Sequence, residues 1–229
     1  MKNLILFIFA LNSLSIFSQA DSLSVLFYNV ENLFDTEDDS LKMDNEFLPN
    51  GKKKWSSTRW NQKTVNVTKV IAGNDFPEII GLCEIENKNV LEKIKNHYIL
   101  RDNEYSIIHF ESPDLRGIDC AILYQSKKLD LLAMKANKID LPGRKTRDIV
   151  SATFTYRKDT FSVFVNHWPS RYGGRKKSNS KRQIASETLL HLMDSTSKHH
   201  PNYKIIAMGD FNDEPGDSSL ITLKKYSNR

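Results

Sequence analysis

Short apolar runs rich in β-branched and aromatic residues recur along this 229-residue chain, and four of them stop on carboxylates or amides. "SLSVLFYNV" (22–30) ends at Asn29, with Glu31 just beyond. "DFPEIIGLCEI" (75–85) ends on Glu84 and is followed by Glu86. A later run closes on Asn166-His167, and "KIIAMGDFNDEP" (204–215) breaks at Gly209 into Asp210 and Asn212. Runs this short, with no helical period, read as buried strands. A strand that is apolar along its length and polar at its tip places that tip at the rim of a sheet. There a rigid scaffold holds reactive groups together.

The intervening segments set the architecture. "SSTRWNQKTVNVTKVIAG" (56–73) reads as a helix with Trp60, Val67, Val70 and Ile71 toward one face, a cap at Ser57 or Thr58, and a stop at Gly73. "NKNVLEKIKN" (87–96) and "KRQIASETLLHLMDS" (181–195) are further helices. "YSIIHFES", "GIDCAILY" and "LDLLAMKANKI" read as strands, and "DIVSATFTYRKDTFSVFVNHW" (148–168) as a hairpin. "PSRYGGRKKSNS" (169–180) and the long polar stretch 31–55 read as loops. Helices interleave with strands and hairpins, which predicts mixed sheets with helices packed outside.

Residues 1–20, "MKNLILFIFALNSLSIFSQA", combine a positive start, an apolar run and a small-residue ending, the pattern of a signal peptide cleaved near Ala20. The mature domain (21–229) is then exported to the periplasm or medium, with no stable membrane insertion. Its 39% hydrophobic and 27% charged residues suit a packed core and exclude a disordered chain. A net charge of +5 suits an anionic substrate. Cys83 and Cys120 lie in strand-like runs, where either a disulfide or two buried thiols would fit.

Carboxylates with amide carbonyls are hard oxygen ligands that select Mg²⁺, Mn²⁺ or Ca²⁺ over zinc. A histidine beside them would hydrogen-bond a phosphoryl oxygen or move a proton. The residues thus point to metal-assisted attack of water on a phosphate ester. "DFNDEPGD" is not an EF-hand, because Pro215 and Ile221 stand where that loop needs Gly and Glu. His199-His200 reads as a solvated pair and Trp168-Pro169 as packing at a turn.

"FYNVENLFD", "GLCEIEN", "RGIDCAILY", "VNHWPSRYGG" and "MGDFNDEP", in this order, resemble the endonuclease/exonuclease/phosphatase superfamily, in particular its exported bacterial members. The resemblance implies a four-layer α/β sandwich with two mixed sheets face to face and helices outside. It implies a metal-binding role for Glu84 and catalytic roles for Asn29, His167, Asp210 and Asn212. It also implies phosphate contacts from Arg116 and Arg171, and for Glu31 and Asp119 either a supporting role beside the site or a structural one. The expected activity is Mg²⁺-dependent phosphodiester or phosphomonoester hydrolysis by a monomer, on nucleic acid, a phospholipid headgroup or a small phosphodiester. The family pattern continues into a further strand and a Ser-Asp-His that have no counterpart after Asn212, so the last strands are expected to be missing. A non-catalytic phosphate- or nucleic-acid-binding module on the same scaffold is the alternative expectation.

Overall fold

The computed structural model describes residues 22–224 and Tyr226; the signal-peptide expectation falls on residues outside these. Twelve regular elements follow one another: β1 (Val25–Leu33), α1 (Ser57–Gly73), β2 (Ile79–Ile85), α2 (Lys88–Lys95), β3 (Tyr105–His109), β4 (Asp119–Gln125), β5 (Asp130–Asn137), β6 (Ile149–Tyr156), β7 (Asp159–His167), α3 (Arg175–His199), β8 (Lys204–Asp210) and α4 (Ser218–Lys224). The strands form two four-stranded sheets, ordered β1-β2-β4-β3 and β5-β6-β7-β8. Each sheet is mixed, with one parallel pair (β1/β2 and β7/β8) and otherwise antiparallel neighbours.

Period-two alternation explains why the central strands read as unbroken apolar runs, since both faces are buried. On β2, Ile79 and Cys83 pack between the sheets against Val163, Val165 and Met208. Ile80 and Leu82 point the other way, onto Val67 and Ile71 of α1 and Leu91 and Ile94 of α2. On β7, Phe164 faces Ala185 and Leu189 of α3. The result is four layers, helix–sheet–sheet–helix. The sheets meet closely at Gly81, where a Cβ would lie 2.7 Å from Met208 Cε and 3.0 Å from Val165 Cγ2. Cys83 and Cys120 are direct cross-strand partners in this inner layer, and both are free thiols.

Two local expectations are corrected. The helix cap of α1 is Ser56, whose side chain accepts from Arg59 N, and Val70 is exposed rather than core-facing. Helix α3 starts at Arg175, not Lys181, and runs on through His199. Its first two turns are polar and therefore carry no apolar period. They are held by Arg182, which is fully buried against Asp213 at 2.7 Å. Trp168 is buried at the turn after β7, where it packs edge-on against Phe211. Among the described residues no helix is long and apolar enough to cross a membrane.

Candidate active site

Parallel pairing puts the C-terminal ends of β1 and β2 at one rim of the first sheet, and those of β7 and β8 at one rim of the second. The two pairs pack against each other, so the four polar tips share one edge of the sandwich. His167 and Asp210 are register partners across β7/β8. Asn29 ties the sheets together: its Nδ2 donates to Glu84 Oε1 (3.2 Å) and to Asp210 Oδ2 (3.1 Å). His167 Nε2 stands 3.7 Å from Glu84 Oε1 and 4.0 Å from Asp210 Oδ2. Asn212 is fixed at the rim, with its N–H on Asp210 Oδ1 (3.0 Å) and its side-chain amide on the Trp168 carbonyl (3.0 Å).

Local backbone departures aim these groups. The β1/β2 register shifts between Asn29 and Leu33, and the β2/β4 register shifts between Cys83 and Ile85. Glu84 sits in the second irregularity at φ +65°, and Glu31, Asn32 and Asn212 also have positive φ. Each such position costs about 1–3 kcal/mol in a non-glycine residue. Bulges re-aim a side chain out of the pleat, here toward the gap between the sheets.

The electrostatics are lopsided. Glu84 and Asp210 converge on one neutral amide, and among the described residues neither is paired with Lys or Arg. Burial, reinforced by the positive charges of Arg147 and Arg116, pushes the His167 imidazole down to about 2. His167 is therefore neutral at ordinary pH and does not offset the carboxylates. Two hard oxygen donors with no counter-charge form a set that fits a divalent cation.

A family model for the endonuclease/exonuclease/phosphatase family matches residues 24–228. The chain belongs to the endonuclease/exonuclease/phosphatase family. No curated protein sequence matches it. Among the solved structures that share its fold, three illustrate the likeness. One is the human Nocturnin catalytic domain with bound sulfate, at 19% identity, TM-score 0.58, covering 71% of this chain and 61% of that one. A second is ANGEL2, a 2′,3′-cyclic phosphatase, at 17% identity, TM-score 0.65, covering 89% and 56%. A third is a Bacteroides thetaiotaomicron mannosyl-6-phosphatase, at 18% identity, TM-score 0.62, covering 90% and 71%. The chain spans less than two thirds of the first two, and at these identities the likeness is one of fold.

Within this family frame the other sequence-singled residues divide sharply. Asn166 is fully buried and structural: its amide donates to the Phe164 and Met208 carbonyls and accepts from Trp168 Nε1. Arg171 faces the loop after β8 and, with Asp210 and Asn212, lines an open cavity. It donates to the Asn212 carbonyl and pairs with Glu214 (3.0 Å), Asp217 (3.1 Å) and Asp213 (3.6 Å). It thus braces the segment that carries Asn212. Arg116 is half-exposed, with its Nε on Asp114 Oδ1 (3.3 Å). Glu31 is exposed beside Asn29, which accepts its N–H at 2.9 Å. Asp119 is buried at the start of β4, opposite Ile85 and so beside the β2 tip. It takes hydrogen bonds from Ser112 N and His109 Nε2, each at 3.0 Å. With Glu111 it forms a second cluster whose ligand atoms lie within 4.8 Å of one another and would also accommodate a cation. Glu86 accepts from Asp35 N (2.6 Å) and pins the exit from β1.

Three features escaped the sequence. Arg147 is buried, with Nη2 on the Trp168 carbonyl (2.7 Å) and Nη1 on Asp114 Oδ2 (3.1 Å). The Arg182–Asp213 pair holds α3 to the site loop. Phe47, Lys53, Trp55, Arg59 and Lys63 wall a cleft of about 650 Å³ that opens on Asn29 and Glu84. The only sequence signal for Arg147 was a charge at the entrance of an apolar run, which is commonly a solvated turn residue.

Proposed function

We propose that the chain is a divalent-metal-dependent phosphoesterase that cleaves a phosphate ester by direct attack of water on phosphorus. One observation carries the reading: the Asn29 amide joins Glu84 of one sheet to Asp210 of the other, with neutral His167 between them and, among the described residues, no Lys or Arg paired with either carboxylate. When bound, a cation such as Mg²⁺ or Mn²⁺, held by Glu84 with Asp210 beside it, would neutralise the phosphate and polarise its oxygen.

The chain's own groups do the rest. Asn29 keeps two like charges at a fixed separation. His167, uncharged, donates from Nε2 to a phosphoryl oxygen, which carries more negative charge in the transition state than in the ground state. Asp210 accepts a hydrogen bond from the attacking water and so orients it. Asn212 is locked by the Trp168 carbonyl and by Asp210, so it adds rigidity where the phosphate docks.

A small phosphorylated substrate is favoured over a polymer. The three arginines of the basic stretch 171–182 are neutralised, Arg171 and Arg175 by Glu214 and Asp217 and Arg182 by Asp213, which leaves Lys176, Lys177 and Lys181 as its remaining cations. The aromatic and cationic cleft beside Glu84 supports a nucleic-acid substrate as the second reading. The apolar leader at residues 1–20 supports action outside the cytoplasm.

The test is turnover of p-nitrophenyl phosphate, bis(p-nitrophenyl) phosphate and single-stranded DNA, with Mg²⁺ or Mn²⁺ and with EDTA. Metal-dependent hydrolysis that disappears in Glu84→Gln is expected. Ligand binding without turnover under every metal condition would replace this reading with a non-catalytic module.

A further inference from the structure

Beside the four strand tips lies a second cavity, of about 290 Å³, lined chiefly by Arg116, Arg144, Thr146, Arg147, Ser170 and Lys181. We propose that it is a phosphate subsite that holds a second, non-reacting phosphate of a small substrate. The inference rests on the phosphoesterase reading above and names the class of substrate: a small molecule bearing two phosphates.

Charge is the first argument. Four cationic side chains line the cavity and no carboxylate does. Asp114 lies behind the wall, where it pairs with Arg147 (3.1 Å) and meets Arg116 Nε (3.3 Å). Among the described residues Arg144 and Lys181 have no acidic partner. One carboxylate against four cations leaves the wall with a positive excess, which a dianion would offset.

Unmet hydrogen bonding is the second. Thr146 and Arg147 are 3% and 4% exposed, and both are wall residues. Thr146 Oγ1 and Arg147 Nε have no hydrogen-bond partner. Buried polar atoms are nearly always paired, so these two mark a cavity wall whose hydrogen bonding is incomplete.

Position is the third. The Trp168 carbonyl accepts from Arg147 Nη2 on the cavity side and from Asn212 Nδ2 on the active-site side. The cavity and the reacting centre therefore share one carbonyl as a partition. A substrate with its scissile phosphate at Glu84 and His167 would have a second phosphate within reach of this cavity. Arg144 and Lys181 meet in one small concavity, whereas the three arginines of the turn 171–182 that would grip a polymer, Arg171, Arg175 and Arg182, are paired with Asp213, Glu214 and Asp217. That contrast selects a compact bisphosphate over a strand.

The test separates the subsite from turnover. Inorganic phosphate is titrated calorimetrically into the full chain in EDTA, where the carboxylates at Glu84 and Asp210 repel it and no metal-dependent reaction runs. Saturable binding of one phosphate per chain is expected. Arg144→Ala/Lys181→Ala should weaken it at least about tenfold, and the exposed Arg144→Ala alone by a smaller factor. Fructose 1,6-bisphosphate should displace the phosphate at lower concentration than fructose 6-phosphate does, and at lower concentration than an oligothymidylate. No saturable binding, or equal binding by the double variant, would overturn the subsite. Equal competition by the two sugars, or stronger competition by the oligonucleotide, would overturn the assignment to a small bisphosphate. If no phosphate ester is hydrolysed with Mg²⁺ or Mn²⁺ while the Arg144- and Lys181-dependent binding persists, the phosphoesterase reading fails and the anion site stands.

Discussion

Replacing Arg182 with methionine tests how the site loop is held. Arg182 Nε and Asp213 Oδ1 are 2.7 Å apart with both side chains fully buried, and Arg182 Nη1 also donates to Ser178 Oγ (2.8 Å). Methionine keeps most of the stem volume but strands the Asp213 carboxylate. Breaking one side of a buried pair generally costs about 3–5 kcal/mol. Two partners remain for Asp213: the Ser219 hydroxyl at 2.6 Å, and the partly exposed Arg171 at 3.6 Å. They reduce the expected loss to about 2–4 kcal/mol. Urea unfolding followed by tryptophan fluorescence should show a midpoint lowered by about 1–2 M at unchanged slope. Turnover should fall as well, because Asn212 adjoins Asp213 and loses its brace. The double variant Arg182→Met/Asp213→Asn removes both charges and should be markedly more stable than the sum of the two single losses. A single-variant loss below about 1 kcal/mol, or strict additivity in the cycle, would refute the idea that this buried pair anchors the loop.

Three further outcomes follow from the geometry. Gly209→Ala would place a Cβ 2.3 Å from the Asn166 carbonyl oxygen at φ +157°; levering β8 from β7 should cost about 2–3 kcal/mol in thermal unfolding and abolish turnover by displacing Asp210 from His167. Burial, with the neighbouring carboxylates of Asp35, Asp44 and Asp39 adding to it, raises the Glu86 carboxyl from 4.5 to about 8. The folded state then binds the extra proton, so this contribution is complete below pH 4.5 and is lost as pH rises through about 8, at up to about 1.4 kcal/mol per unit; Glu86→Gln should flatten that slope in chemical denaturation across pH 5–8. Asn29→Ala removes the amide that spaces Glu84 and Asp210, and kcat/KM on p-nitrophenyl phosphate should drop about 10–100-fold with the melting temperature little changed.

The sequence made the strand tips legible because a buried strand must lose its apolar character where it leaves the sandwich. Asn29, Glu84, His167 and Asp210 each mark such an exit, and parallel pairing brings them to one rim. Which polar tip residue faces the site was not legible. Asn166 and His167 are adjacent, yet pleat alternation turns the asparagine inward to the Met208 carbonyl and leaves the histidine beside Glu84. Ion pairing was equally hidden, because it depends on segments far apart in the chain. Arg171 reads like a phosphate clamp until Glu214 and Asp217 fold back onto it. Arg147 reads like a solvated turn residue until Asp114, thirty-three positions earlier, meets it in the interior. The start of α3 was missed because its first turns are fixed by one buried arginine rather than by an apolar stripe.

The most direct measurement is Mn²⁺ binding followed by electron paramagnetic resonance, in which bound ions lose the free-ion signal. The wild-type chain is compared with Glu84→Gln and with Asp119→Asn. The account predicts an Mn²⁺ site that is lost in Glu84→Gln, together with turnover, and retained in Asp119→Asn. Binding that survives Glu84→Gln but vanishes in Asp119→Asn would place the ion at His109, Glu111 and Asp119, and would contradict the assignment of the strand-tip cluster as the metal-dependent centre.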